Sequence, residues 1–555
     1  MLRVAEIKLA LDHPADALRE AVIQRLGISA DALQQLTVYK RSYDARNKQR
    51  ILFIYIVDVE LEDEAAVLQR LAADPHVKAA PAMDYRPVAS AEQVARYRQA
   101  APAAPRPVVI GMGPCGLFAA LILAQLGLRP ILLERGKAVR ERTQDTWKLW
   151  REHQLNPESN VQFGEGGAGT FSDGKLYSQV RDPQHLGRKV LTEFVKAGAP
   201  PEILYVNKPH IGTFKLVSMV EEMRATITAL GGEIRFQQRV EDVVIDGVMD
   251  GVKEQRRIRA LVLQGGEVLA AEHVVLAIGH SARDTFAQLY QRGVFMEPKP
   301  FSIGFRIEHP QSLIDRCRLG KFAGHPLLGA ADYKLVHHAS NGRSVYSFCM
   351  CPGGTVVAAA SEPGRVVTNG MSQYSRNERN ANAALVVDIV PADFPRQEPP
   401  ALAGIALQRF WEARAFELGG GNYNAPAQRV GDFLAGRAST AAGSVIPSYR
   451  PGVAWCDLSS ALPEYAIAAL REAIPAFDKQ IRGFAMDDAV LTAVETRSSS
   501  PLRITRHPES HPLALQSLNV QGLYPAGEGA GYAGGILSAG IDGIRVAEAV
   551  ARALL

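Results

Sequence analysis

The segment PVVIGMGPCGLFAALILAQLG, residues 107–127, decides how the fold of this chain is predicted. An apolar strand leads into a turn with Gly111, Gly113 and Gly116, and an unbroken apolar helix follows, which is the dinucleotide fingerprint in a strand-turn-helix context. The first glycine permits the tight turn, the second lets backbone amides approach a pyrophosphate, and the third allows close helix packing. We therefore predict that a Rossmann-type domain begins near residue 106.

A second strand, PILLE, ends in Glu134, which lies 23 residues after Gly111. This is the distance at which the fold needs a carboxylate to accept hydrogen bonds from the ribose hydroxyls of an adenosine. An acid at this position disfavours a 2′-phosphate. Strand, glycines, helix, second strand and acid together predict a dinucleotide site whose phosphates face the helix N-terminus.

Three further glycine-containing segments favour FAD over NAD as the dinucleotide. The segment FGEGGAGTFSDGK, residues 163–175, is too rich in glycine for a regular element and suits a backbone that approaches an extended ligand, although a flexible surface loop is the alternative. HVVLAIGHSARDT, residues 273–285, is a strand with a glycine at its end. GLYPAGEGAGYAGGI, residues 522–536, combines a strand end, an acid and a glycine-rich helix entry, which NAD domains do not need.

The chain is longer than one hydrophobic core usually organises, so several packed units are expected. We predict a small ferredoxin-like α+β domain over residues 1–90 and an Ala/Pro-rich linker over residues 91–105. A Rossmann-type FAD domain of α/β class follows in two parts, residues 106–290 and 484–555. Residues 291–483 form a mixed α+β substrate or cap domain between them.

Composition places the chain among ordinary globular enzymes and argues against several other classes. Hydrophobic residues make up 47% and charged residues 22%, and the net charge of +4 carries no global signature of nucleic-acid binding. Five sparsely spaced cysteines argue against a disulfide framework and for a reducing compartment. Charges interrupt the first apolar stretch, and glycines and a proline interrupt the charge-free stretch 108–128. We therefore expect a cytoplasmic location and no membrane partner.

The chain as a whole resembles a bacterial family of FAD-dependent dehydrogenases or oxidoreductases that carry a small N-terminal domain before a glutathione-reductase-type FAD fold. The likeness rests on the segments above and on GMSQYSRNERNANAAL (370–385), APAQRVGDF (425–433) and ETRSSSPLRI (495–504). It implies FAD binding and an oxidoreductase class, and it supplies no substrate. The sequence shows no second fingerprint in a strand-turn-helix context, so NADH or NADPH is expected only as a transient electron donor.

The positions expected to contact FAD come from the fingerprint, the strand ends and the three glycine-containing segments. They are Gly111, Gly113, Pro114, Cys115, Gly116, Glu134, Arg135, Gly166, Gly167, Gly169, Thr170, Gly174, Lys175, Val240, Gly279, Gly527, Glu528, Gly534, Gly535 and Ile536.

Catalytic groups are less well marked in the sequence than the cofactor site. His280 and Tyr532 lie beside predicted cofactor segments and are candidates for proton transfer, while Arg497, with Arg503, is a candidate clamp for an anion; each has a purely structural alternative. Cys349 and Cys351 alternate on a predicted strand, where an i, i+2 disulfide is strained and small buried hydrophobes are the favoured interpretation. No metal-binding or serine-hydrolase motif is present, so no metal is expected.

A local basic run in the first domain leaves one alternative function open. The run lies around Tyr43 between two predicted strands and contains Lys40, Arg41, Arg46, Lys48 and Arg50. It fits a solvated hairpin, and it also fits an anionic partner such as RNA, although no aromatic RNA-binding signature accompanies it.

The sequence thus predicts an FAD-dependent oxidoreductase that transfers a hydride or an electron pair between bound FAD and a small organic substrate. The alternative is a flavin-containing binding protein, associated with RNA, in which FAD is structural or regulatory.

Overall fold

The computed structural model of the chain describes residues 1–247, 256–396 and 398–555. Its first unit is a four-stranded antiparallel sheet with two helices. The strands have the order β2-β3-β1-β4, so the outer strands β2 and β4 flank a central pair. In chain order the elements are β1 (Leu2–Ala10), α1 (Ala17–Leu26), β2 (Leu33–Asp44), β3 (Leu52–Leu61), α2 (Glu64–Arg70) and β4 (Val77–Ala79).

The segment expected to be a linker contains a helix, α3 (Ala91–Ala100). Ser90 and Gln93 form a capping box, in which each side chain accepts a hydrogen bond from the other residue's backbone N–H. Val94 is buried and Tyr97 partly buried against the next unit. Two apolar residues three positions apart are enough for one face of a short helix, although they are too few to form a longer apolar period in the sequence.

The second unit contains the fingerprint and is built on parallel strands. Its elements up to residue 291 are β5 (Val108–Ile110), α4 (Pro114–Gln125), β6 (Ile131–Leu133), α5 (Val139–Glu152), α6 (Leu186–Lys196), α7 (Thr213–Ala229), β7 (Glu233–Arg235), β8 (Val240–Asp246), β9 (Arg257–Leu263), β10 (Val268–Ala270), β11 (Val274–Leu276) and α8 (Arg283–Gln291).

A third unit, built on a large mixed sheet, follows from residue 296. Its elements are β12 (Met296–Pro298), β13 (Phe301–Pro310), α9 (Gln311–Leu319), β14 (Val336–His338), β15 (Ser344–Cys351), β16 (Gly354–Ala358), β17 (Thr368–Ser372), β18 (Asn380–Ile389), α10 (Ala403–Leu418), β19 (Ala425–Arg429), α11 (Val430–Ala435), β20 (Val453–Trp455), α12 (Glu464–Asp478) and β21 (Val490–Glu495). Seven strands pair in the order β14-β15-β18-β13-β21-β19-β20.

The C-terminal segment contains β22 (Leu502–Ile504), β23 (Leu523–Pro525) and α13 (Ile536–Leu554). β22 pairs with β12 in a two-stranded antiparallel sheet, and β23 returns to the parallel sheet. The five parallel strands have the order β23-β11-β5-β6-β7. The fingerprint strand β5 is therefore central, and α4 is buried from Cys115 to Ala124. Helix α13 lies directly on α4, because a Cβ at Gly543 would be only 2.2 Å from the carbonyl oxygen of Cys115.

The basic hairpin of the first unit, β2 and β3 with their connecting loop, contacts the fingerprint unit. Arg41 donates its backbone N–H to the Tyr205 carbonyl at 2.7 Å and accepts from the N–H of Asn207 at 2.8 Å. Arg46 forms an ion pair with Asp44. Part of the basic run is therefore engaged within the chain. Among the described helices, none combines the length and the apolar character needed to cross a membrane.

Candidate cofactor and active site

A cleft of about 930 Å³ opens where the parallel strands end at one edge of their sheet. The fingerprint turn, the glycine-rich loop after α5 and the N-terminus of α13 form one side of it. Residues of β15 and of the loop before β14 form the opposite side. Because the carboxyl ends of parallel strands meet at one edge, segments far apart in the chain are brought together here.

Most of the predicted cofactor positions line this cleft. They are Gly111, Gly113, Pro114, Cys115, Glu134, Arg135, Gly167, Gly169, Gly174, Lys175, Val240, Gly279, Gly527, Glu528, Gly534, Gly535 and Ile536. The other three predicted positions, Gly116, Gly166 and Thr170, lie behind the lining. A Cβ at Gly166 would be 2.1 Å from Thr170 Oγ1, so these two residues shape the loop from within.

The fingerprint turn has the geometry that its glycines require. Gly111 adopts a φ of 97°, which a residue with a side chain rarely tolerates. A Cβ at Gly116 would be 1.8 Å from the carbonyl oxygen of Gly111, so this glycine lets α4 start directly against the turn. Gly113 is the N-cap of α4, and Pro114 follows at the first helical position. The first backbone N–H groups of α4 thus lie at the wall of the cleft, as an anion site needs.

Glu134 is buried and connects three parts of the cleft wall. Its Oε2 accepts a hydrogen bond from the N–H of Met112 at 2.8 Å, and its Oε1 accepts from the N–H groups of Gly136 and Gly164, both at 2.9 Å. Oε2 retains a lone pair for a ligand hydroxyl. The sequence pointed to the ligand role of this acid; its second role, holding the turn and the glycine-rich loop together, depends on contacts that spacing does not show.

Arg135 lines the cleft with its charge already balanced. Its guanidinium forms paired hydrogen bonds with Glu158 and with Asp284, all between 2.9 and 3.0 Å. It also lies over the ring of Phe163, 4.1 Å from the centroid. Arg135 therefore acts as a rigid wall, because two carboxylates already occupy four of its five donors.

Open glycines and an acid form another part of the cleft lining. A Cβ at Gly279, with a φ of 69°, or at Gly535, with a φ of 97°, would meet no protein atom within 4 Å. The space in front of these backbones is thus free for a ligand, as close approach of an extended cofactor requires. Burial raises the pKa of Glu528 to about 7, and the nearby Lys299 opposes this shift. This part of the cleft has room for a ligand beside a carboxyl group.

His280 lines the cleft and is held in one tautomer. Gln162 donates its amide N–H to the Ala359 carbonyl at 3.2 Å, which turns its Oε1 toward the hydroxyl of Ser281. Ser281 donates to that oxygen and accepts from Arg497, so its remaining lone pair accepts from Nδ1 of His280 at 3.0 Å. The proton of the neutral ring is therefore on Nδ1, and Nε2 is an acceptor.

Burial, with the charge of Arg497 adding to it, lowers the pKa of His280 to about 3. The ring stays neutral at any ordinary pH. We therefore interpret His280 as a hydrogen-bond acceptor that can orient a ligand.

Arg497 takes part in a buried ion-pair network behind the cleft. Glu412 of α10, fully buried, accepts from Arg497 and from Arg283, with the closest pairs at 3.0 and 2.7 Å. Burial alone would raise the pKa of Glu412, but the two guanidinium groups hold it well below its usual value. Arg497 also donates to Ser361 at 2.6 Å. This arrangement corrects the prediction of an anion clamp: the guanidinium is used within the chain and supports His280 through Ser281.

Tyr532 and Arg503 lie outside the cleft lining. The hydroxyl of Tyr532 accepts the backbone N–H of Arg506 at 2.9 Å, and the Arg506 guanidinium lies 3.9 Å from the ring centroid. Arg503 donates to the Gly531 carbonyl at 3.2 Å. The structure therefore places both side chains in the support of the C-terminal loop and does not bring them to the predicted ligand space.

The strand that carries two of the cysteines departs from simple alternation. Phe348 pairs with Ala384 and Cys351 with Asn382, so β15 contains one extra residue, and Cys349 adopts a φ of 44°. Cys349 lines the cleft, whereas Cys351 is fully buried. The bulge interrupts the regular alternation expected of this strand, and the two cysteines differ in exposure.

Among residues 1–247, 256–396 and 398–555, no group of three or more His, Cys, Asp or Glu side chains is placed to hold a metal ion.

Comparison with known proteins gives a family for this chain. Residues 300–498 match a family model described as the C-terminal-domain-like region of FAD-dependent proteins, and residues 1–60 match a domain of unknown function. An uncharacterized protein of Clostridium beijerinckii is 46% identical over 549 residues, which is 99% of this chain and 98% of that protein. The likeness includes every unit of the fold.

Solved structures give weaker matches. L-proline dehydrogenase from P. horikoshii is 13% identical, with 81% of this chain and 95% of that chain covered and a TM-score of 0.32. A flavocytochrome c3 fumarate reductase in an open conformation is 12% identical, with 86% of this chain and 83% of that chain covered and a TM-score of 0.34. Glycine oxidase from Geobacillus kaustophilus is 11% identical, with 80% of this chain and 94% of that chain covered and a TM-score of 0.30. At these TM-scores the likeness carries no conclusion about reaction or substrate.

Proposed function

Since the chain belongs to the family of the Clostridium beijerinckii protein and its residues 300–498 match the FAD-dependent model, we propose that it is an FAD-dependent oxidoreductase. In this proposal it is a dehydrogenase that moves a hydride or an electron pair between bound FAD and a small organic substrate. The observation that carries the proposal is the single cleft that unites the fingerprint turn, Glu134, Glu528 and the open glycines of the C-terminal segment.

The groups that line the cleft support an extended dinucleotide. Val240 and Glu134 would hold the adenosine end, and the N-terminus of α4 would face the pyrophosphate. Glu528 and the backbone of Gly534 and Gly535 would hold the other half. FAD, when bound, supplies a two-electron acceptor and donor at its ring system.

The third unit provides the rest of the proposed reaction site. Its residues Tyr333, Phe348 and Met350 cover the cleft from the side opposite the glycines and would exclude water from the ligand. His280 would orient a substrate hydroxyl or amine through its unprotonated Nε2. Lys175 donates to the Met350 carbonyl, which places its cation in the same region.

We also assign finer fold types to two units. The strand order β23-β11-β5-β6-β7 supports a glutathione-reductase-type FAD domain, and the antiparallel order β2-β3-β1-β4 supports a ferredoxin-like first domain. The domain boundaries given above remain proposals. NADH or NADPH would act from solution at the open side of the cleft.

The first experiment is a visible absorption spectrum of the purified protein before and after anaerobic addition of NADH or NADPH, with acid release of any flavin. A flavin spectrum that bleaches supports the oxidoreductase with a nicotinamide donor. A flavin that resists every donor favours a structural or regulatory role. If no flavin binds even after reconstitution with FAD, the proposal is wrong.

A variant tests the location of the site independently of turnover. Gly534 has no φ in the left-handed region, and its Cβ would approach only Glu528 Oε1, at 3.9 Å. G534V therefore fills ligand space without backbone strain. We expect at least tenfold weaker FAD binding in a fluorescence titration, since a substitution that blocks ligand contacts costs about 1.4 kcal/mol or more. Ala95→Val, on the exposed face of α3, is the control and should bind FAD like the parent.

A further inference from the structure

Two cysteines of β15 occupy a position that the proposed cofactor site does not use. Cys349 lies at the bulge and lines the cleft, and Cys351 is buried directly behind it. The Sγ of Cys351 lies 3.3 Å from the carbonyl oxygen of Cys349. In a regular strand an i, i+2 pair is held apart by the extended backbone, whereas the bulge and the positive φ of Cys349 depart from that geometry between the two cysteines.

The backbone of the bulge is fixed by two cations. Arg306, fully buried, donates to the Cys349 carbonyl at 2.9 Å, and Lys175 donates to the Met350 carbonyl. Arg306 is held in turn by the carboxylate of Glu495, with Nε 2.8 Å from Oε2. Both carbonyls are thereby directed toward positive charge, and the Cys349 side chain is left facing the cleft.

The same surroundings favour a thiolate at Cys349. A hydrogen bond with the Cys351 thiol holds the pKa of Cys349 well below its usual value; burial opposes this, and Lys175 and Arg306 add to the lowering while Asp173 opposes it. The pKa of Cys351 is raised, by its hydrogen bond with Cys349 and by burial. One thiol of the pair is thus the nucleophile and the other holds a proton, which is the division of roles in a working dithiol.

We infer that Cys349 and Cys351 form a redox-active dithiol that opens into the cleft and exchanges an electron pair with a small thiol or disulfide. This inference goes beyond the proposed function and does not depend on it, because the exchange needs only the two cysteines and the small disulfide.

The exchange proceeds in two balanced steps. The Cys349 thiolate attacks one sulfur of a disulfide R–S–S–R, a Cys349–S–S–R bond forms, and R–S⁻ leaves. Cys351 then gives its proton to the released thiolate and attacks Cys349 Sγ, which forms the internal disulfide and releases the second R–S⁻. The two protein sulfurs are oxidised, and one small disulfide is reduced to two thiols.

The redox state of the two cysteines can be measured directly by mass spectrometry of one peptide. Trypsin releases both cysteines in one peptide, residues 344–365, which contains no other cysteine. The purified protein is equilibrated in glutathione redox buffers, quenched in acid, blocked with N-ethylmaleimide and digested. We expect this peptide to become two hydrogen atoms lighter and to resist the maleimide under oxidising conditions. C351S should stop at a glutathione mixed disulfide on Cys349, and C349S should show neither product.

Alkylation rates give a second readout. Near pH 7 an ordinary thiol is only a few per cent ionised, so Cys349 should react with iodoacetamide about tenfold faster than Cys456 or Cys317 in the same protein. K175M should slow the reaction of Cys349 with iodoacetamide and leave the rate at Cys456 unchanged. C456S serves as the matched control for the glutathione experiment.

The dithiol is refuted if the peptide takes up two maleimides at every redox poise, or if the wild-type protein stops at a mixed disulfide on Cys349. Neither result needs a variant to fold. The G534V protein separates this inference from the proposed function: if G534V has lost FAD binding in the titration and the internal disulfide still forms equally, the dithiol works without a cofactor.

Discussion

Replacing Glu528 by glutamine tests the electrostatics of the cleft. Burial raises the pKa of this acid to about 7 from an ordinary value of 4.5, with Lys299 partly opposing the shift. E528Q keeps the size and the hydrogen-bonding groups of the side chain but has no titrating proton. The variant should therefore remove one specific pH dependence from the cofactor-free protein.

The expected size follows from the two pKa values. A folded pKa of about 7 against 4.5 is about 2.5 units, which corresponds to about 3 kcal/mol. Because the folded pKa is the higher one, folding binds the proton. The contribution to stability is fully present below pH 4.5 and is lost as the pH rises through about 7. The free energy of unfolding of E528Q minus that of the parent should thus grow by up to about 3 kcal/mol across this window.

The measurement compares the melting temperatures of the two cofactor-free proteins at a series of pH values, so that all other titrations cancel. For a chain of this size we expect the difference to grow by about 2–3 °C in favour of E528Q. Glu92→Gln, on the exposed face of α3, should show a constant difference. A constant difference for E528Q as well would show that Glu528 titrates like a solvent-exposed acid, and the interpretation of a buried carboxyl would be wrong.

Two further predictions concern buried carboxylates. E134Q replaces an oxygen that accepts backbone N–H groups by an amide nitrogen, so it should cost about 1–3 kcal/mol of stability and weaken FAD binding; unchanged affinity in a fluorescence titration would contradict the role of Glu134. E412Q leaves Arg497 without its carboxylate partner and Arg283 with Glu362 alone, and should destabilise the protein by about 3–5 kcal/mol in thermal melts. The control E417Q, on the same helix but exposed, should change stability by less than about 0.5 kcal/mol, and equal effects of the two variants would refute the network.

Much of the cofactor site is predictable from the sequence because its signals are local. Glycines that need a positive φ or no side chain, such as Gly111 and Gly116, are recognised within one strand, turn and helix. The acids Glu134 and Glu528 follow strand ends at fixed spacing, and the structure places both in the cleft with the open glycines. The sequence of strands along the chain also predicted that the C-terminal segment returns to the fingerprint sheet.

Other features depend on contacts between distant segments. Glu412 lies on a helix whose sequence shows no special pattern, and only the packing of α10 brings it between Arg283 and Arg497. Tyr532 and Arg497 were judged by their neighbours in sequence, but hydrogen bonds direct their polar groups into the supporting structure. The helix α3 was missed because its stability comes from a cap and from two contacts with the next unit.

The sequence by itself determined a fingerprint domain, its acid and the glycine segments that line one cleft, because backbone conformation and strand ends depend on neighbouring residues. Only the tertiary structure decided which side chains face that cleft. The bulge at Cys349 shows the reason: the pattern predicted a regular strand, whereas the pairing with β18 contains one extra residue and Arg306 donates to the Cys349 carbonyl. These partners lie in other segments of the chain, so periodicity along the strand does not predict them.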